Sequence, residues 1–110
     1  MLNDTLNKLD TLVNTAAKLS DSEREDLQAL VTELRLELQQ LESDEAVRAQ
    51  HIAEFTKTSA HESLRDDADP AQAALSHQGL QGAVESLEVS HPRLFTLIQN
   101  IVTRLSGLGI

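Results

Sequence analysis

The sequence predicts an all-α protein built as a coiled-coil-like bundle, and three observations predict it. Large apolar residues recur in alternating steps of three and four along most of the chain, the period of helices that bury one face. The hydrophobic content is 40% but the aromatic content only 2%, so the core must come from Leu, Ile, Val and Ala, which suit helix–helix packing. Helix-start signals at Ser20–Glu25 and Ser90–Pro92 divide the repeat into segments.

Leu2, Leu6, Leu9, Val13 and Ala16 form the first apolar stripe, with Asn3, Asp4, Asn7 and Lys8 on the other side, so the spacing predicts an amphipathic helix over 2–19. Two overlapping capping boxes follow, Ser20 with Glu23 and Ser22 with Glu25, in which the serine hydroxyl and the glutamate carboxylate satisfy backbone N–H groups reciprocally. Leu27, Val31, Leu34, Leu38 and Leu41 carry the stripe of a second helix. The short connection makes these two helices antiparallel neighbours. Beyond Leu41 the pattern meets Glu45 and Arg48 before Ile52 and Phe55, which fits either a continuous helix to Phe55 or a bend near Ser43 and Asp44.

From Thr56 to Asp69 the only large apolar side chain is Leu64. Burial there is expected not to offset an ordering cost of about 1–2 kcal/mol per residue, and Gly79 and Gly82 weaken a helix start at Asp69 and Pro70. The organisation expected is a helical hairpin over 1–55, a flexible acidic linker over 56–78, and a kinked C-terminal helical segment over 79–110 that joins the hairpin in one structural domain. In that last segment Leu80, Val84, Leu87, His91, Leu94, Ile98, Ile101, Leu105 and Leu108 continue the repeat. Ser90 suits an N-cap, Pro92 suits the first helical turn and turns His91 away from helical geometry, and Gly107 and Gly109 suit the end.

The net charge is −9, and the residues from Ser90 onward contain Arg93 and Arg104 but no acid, so the acidity lies entirely in residues 1–89. Nucleic acid and anionic membrane surfaces are therefore not expected as partners, because both need clustered Lys and Arg. Nor is membrane insertion, since Gln99, Asn100 and Arg104 interrupt the most apolar stretch. There is no cysteine, hence no disulfide framework or thiolate chemistry. No basic, apolar leader opens the chain, and the cytoplasm is the expected location.

The candidate chemistry is sparse. Glu88 and His91 match the Glu-x-x-His spacing by which helical bundles hold two metal ions, but a full site needs a second such pair from another copy, with Glu33 or Glu37 as further ligands. The competing reading of His91 is a helix-start residue that bonds a neighbouring carboxylate or carbonyl. His51, His61 and His77 sit in polar surroundings and are expected to be solvated, as are Asp66, Asp67 and Asp69. No nucleophile elbow, phosphate loop or Ser–His–Asp pattern is present, so neither an enzyme nor a cofactor is expected.

Ser90, His91, Pro92 and Leu94, followed by Leu105, Leu108, Gly109 and Ile110 behind a Leu-rich hairpin, resemble a small bacterial family known as domain of unknown function forty-four-zero-four. The resemblance covers about the last quarter of the chain and implies a short protein whose Ser-His-Pro element opens the last helix; it implies no activity. With a flexible middle, about 80 residues remain to fold, near the size at which a lone core is marginal. The expectation is therefore a non-enzymatic scaffold or adaptor that self-associates as a homo-oligomer or binds another helical protein. Its apolar face would be Leu94, Ile98, Ile101, Leu105 and Leu108, with Ser90, His91 and Pro92 setting the entry angle. Alternatives are a metal-binding helical bundle in a homo-oligomer, and an acidic inhibitor or antitoxin-like protein that masks a basic partner.

Overall fold

Helix follows helix through the computed structural model, which describes residues 1–108: α1 (Leu2–Thr15), α2 (Asp21–Glu42), α3 (Ala46–Leu64), α4 (Pro70–Val84), the single turn α5 (Leu87–Ser90) and α6 (Pro92–Ser106). Gly109 and Ile110, which belong to the signature and to the 79–110 segment read from the sequence, lie outside the described residues.

The first capping box forms as the sequence predicts. Glu23 N donates to Ser20 Oγ at 3.1 Å, and Ser20 N donates to Glu23 Oε1 at 2.8 Å. From the first turn of α2, Arg24 reaches back over the end of α1. Its guanidinium donates to the carbonyls of Asn14 at 3.0 Å and Ala16 at 2.8 Å, giving partners to groups that a helix C-terminus leaves orphaned. α1 therefore ends at Thr15, not at Leu19, while Ala16 and Leu19 stay buried in the turn.

Side-chain bonds fix the helix directions. Asn3 with Gln39, Asp10 with Arg35, and Asn14 with Gln28 pair α1 and α2 antiparallel. Thr5 with Glu54 and Lys18 with the Ser63 carbonyl run α3 parallel to α1. Ser59 with the Ser76 carbonyl turns α4 back along α3, and Asp26 with Arg104 sets α6 antiparallel to α2. The long helices thus alternate in direction, and α3 packs against α1, α2, α4 and α6. The radius of gyration is 12.9 Å. A compact chain of this length has about 13 Å, so the C-terminal helix lies within the body of the protein.

Of the two courses open beyond Leu41, the chain takes the bend near Ser43 and Asp44: α2 stops at Glu42, and Glu45, with φ −137° and ψ 62°, starts a new helix. One expectation is corrected here: the segment 56–78, expected to be a flexible linker, is mostly the end of α3 and the first half of α4. Its order comes from small residues. Thr56, Ser59, Ala60 and Ser63 are buried with Leu64, and short side chains let helices approach closely. Their hydroxyls also find partners: Thr56 Oγ1 donates to the Ile52 carbonyl at 2.8 Å, and Ser59 Oγ to the Ser76 carbonyl at 3.0 Å. Asp69 and Pro70 do start α4, with Asp69 Oδ1 accepting from Ala71 N at 2.9 Å.

Candidate functional site

The C-terminal stripe is the core of the monomer. Leu94, Ile98, Ile101 and Leu105 are each at most 2% exposed, held against α2, α3 and α4, and Leu108 packs partly buried at the edge of the same cluster. The interaction face expected there is not free. Ser90, His91 and Pro92 do mark the entry, with a shifted assignment. Ser90 ends α5 and donates to the Ser86 carbonyl, His91 is the N-cap residue, and Pro92 is the first residue of α6. The break at His91, with φ −140° and ψ 67°, takes Glu88 and His91 off a common helical face. Glu88 is exposed, while His91 Nε2 lies 3.2 Å from Glu45 Oε2. That is the helix-start reading of His91. Glu45 is held below the usual carboxylate range, first by its hydrogen bond from Arg48 and then by that from His91. Among the described residues no three His, Cys, Asp or Glu side chains gather as a metal site would require.

Two other features remain on the surface. The first is the outer side of α4. This helix contains no charged residue, and Ala71, Ala74, Leu75, Gln78 and Gly82 are exposed along it. Leu75 is 59% exposed, and Phe55 of α3, 42% exposed, rests its ring against Gly79, one turn further along α4.

The second is a cleft of about 430 Å³ where the ends of α3 and α6 meet the start of α4. Its polar lining is Lys18, Ser63, Asp66, His77 and Ser106, and its walls include Ala73, Leu105 and Leu108. Ser63 joins the two basic groups. Its carbonyl accepts from Lys18 Nζ at 2.7 Å, and its hydroxyl lies 3.2 Å from His77 Nε2. His77, expected to be solvated, is only 8% exposed, and burial lowers its pKa below the usual histidine value, which keeps the ring neutral. Its Nδ1 is buried and has no hydrogen-bond partner among the described residues. Lys18 joins no ion pair among them, although the chain has twice as many acids as bases.

The cleft was invisible to a reading based on large apolar residues. One signal was available: His77 lies three residues before Leu80 and so continues the Leu80, Val84, Leu87 repeat toward the N-terminus. His51 and His61 are exposed.

Comparison with protein-family models, with curated proteins and with solved structures gives no match.

Proposed function

We propose that the protein is a non-enzymatic helical scaffold or adaptor that pairs with a second copy of itself through the outer face of α4. The observation that carries this reading is the absence of charge on α4, in a chain where 25% of residues are charged. With a net charge of −9, two copies that meet through α1 or α2, both of which carry more acids than bases, bring carboxylates against carboxylates, and α3 would have to bury Arg48, Glu54, Lys57 and Glu62. The outer side of α6 offers Arg93, Thr96, Asn100 and Thr103 without an exposed large apolar residue. Among the described helices, α4 alone combines neutrality with an exposed leucine, a neighbouring exposed aromatic edge, and alanines and a glycine that allow close helix approach.

Light scattering on the intact protein and on Leu75→Glu tests the reading. The expected result is a dimer that the substitution converts to a monomer, with the thermal melt of the monomer unit unchanged. A wild-type monomer at every concentration overturns it, and so does a Leu75→Glu protein that still dimerises.

A further inference from the structure

Between α1 and α3 lies a groove of about 650 Å³. Small-molecule sites run from roughly 300 to 1,000 Å³, so the space is ample for one. The groove shares no residue with α4 and stands apart from the pairing proposed above. Its two helices run parallel, with the bond from Thr5 to Glu54 marking their register. One turn further along each helix, Lys8 and Lys57 come level, and a second turn brings Leu12 level with His61. The two ammonium groups thus stand at one end of the groove, and Thr11, Leu12, Thr58 and His61 line the rest. Lys8, Thr11, Thr58 and His61 are exposed, and Leu12 and Lys57 are half-buried. A ligand arriving from solvent therefore reaches every group on which the site relies.

Charge selects the kind of ligand. In a chain of net charge −9, the lining of this groove contains no carboxylate. The clefts beside Asp66, Glu23, Glu33 and Asp26 each contain one. Lys8 joins no ion pair among the described residues, because the nearby acids are engaged elsewhere: Asp4 with the N-terminal amine, Asp10 with Arg35, and Glu62 with Arg65. Lys57 meets Glu54 Oε2 at 3.2 Å, while the other oxygen of that carboxylate accepts from Thr5 and Gln50. An ammonium has three N–H donors, so Lys57 keeps donors to spare. Two level ammonium groups repel, and an anion between them replaces that repulsion with attraction. Glu54 already balances one of the two charges, so a monoanion matches what remains. Beyond the charged end, Leu12 and the hydrocarbon stems of the two lysines favour an apolar body.

We propose that the α1–α3 groove binds a medium-chain alkyl carboxylate, its head group between Lys8 and Lys57 and its chain laid along Leu12 toward His61.

Octanoate is the probe, titrated below its micelle-forming concentration into the isotope-labelled full-length protein and followed by NMR. Octanamide removes the charge, and butanoate keeps the head group with a shorter chain. The expected result with octanoate is saturable shifts of the Leu12 methyls and of the Thr58 and His61 amides. Binding should weaken by about tenfold or more for octanamide and for Lys8→Glu, the scale of a lost charge-assisted hydrogen bond. Butanoate should also bind more weakly, because less chain is removed from water. Arg93→Glu changes the net charge by the same amount at an exposed site on α6 and should leave octanoate binding unchanged. Amide spectra of the two unliganded variants verify their fold, and the octanamide and butanoate arms need no variant at all. Non-saturable shifts, or shifts scattered away from α1 and α3, overturn the proposal. Equal binding of octanamide or butanoate overturns it too, as does an equal loss in Lys8→Glu and Arg93→Glu, which would report only the overall charge.

Discussion

Ser63 and His77 face each other across the α3–α4 interface at 3.2 Å, and the burial of the ring at this place makes part of the stability of the fold depend on pH. Burial lowers the His77 pKa from 6.5, so the unfolded chain takes up a proton more readily than the folded one as the pH falls. The contribution of the neutral ring is complete above the unfolded value of 6.5 and is lost as the pH drops from there through the lower folded value. Urea unfolding of the wild type and of His77→Gln between neutral and mildly acidic pH should show a steeper loss in the wild type. Parallel curves for the two proteins would contradict this account.

Gly82 sits inside α4 with nothing within 4 Å of the position a β-carbon would take. A glycine in a helix interior costs roughly 0.5–1 kcal/mol relative to alanine. Gly82→Ala should therefore stabilise the protein by about that amount. At Gly79 the Phe55 ring stands 3.4 Å from the same point. Gly79→Ala should gain less, because the ring must keep its seat. Thermal melts of the two variants give the comparison directly.

Ile98 is completely buried. Ile98→Ala should destabilise the fold by about 2–5 kcal/mol through lost burial and the cavity left behind. The sign of interest is in the assembly: a free interaction face would lose partner binding while stability held. A large drop in the urea midpoint is the expected observation.

Thr5 is 4% exposed and donates to Glu54 Oε1 at 2.9 Å, while Gln50 Nε2 donates to Thr5 Oγ1 at the same distance. The Glu54 carboxyl is held below its usual range, first by Thr5, then by Lys57. Its stabilising contribution is present above the ordinary carboxylate value and disappears as the pH falls through the lower folded value. Thr5→Val keeps the shape and removes both bonds. It should cost about 1–2 kcal/mol and raise the Glu54 titration toward normal, as an NMR titration of the side-chain carboxyl would report.

The leucine repeat was legible because its physics is local. Leu2, Leu6, Leu9 and Val13 in α1 and Leu27, Val31, Leu34, Leu38 and Leu41 in α2 are all buried where the spacing places them. Ser20 and Glu23 likewise announce their own geometry. Periodicity shows that a face is covered but not by what, and for that reason the α6 stripe could be read as an interface when it is the inside of the monomer. The second half of the third helix, read as linker from Thr56 on, escaped notice for a different reason. Ala49, Ala53, Thr56, Ser59, Ala60 and Ser63 keep helical spacing, yet each contributes little apolar area. Their value lies in allowing four neighbours to come close, which only the assembled bundle reveals. The cleft joins residues as far apart in sequence as Lys18 and Leu108, so no local pattern could outline it.

The position of α6, last of the described helices yet wedged against α2, α3 and α4, has a consequence for the chain as it is made. Synthesis proceeds at about 5–20 residues per second, so α6 leaves the ribosome on the order of seconds after α4. Through that interval Val31, Leu34 and Leu80 belong to a nascent chain whose last wall has not arrived. Chaperone capture should be greatest in this window. A transcript broken after α5 would yield a product with its hydrophobic interior open to neighbouring chains.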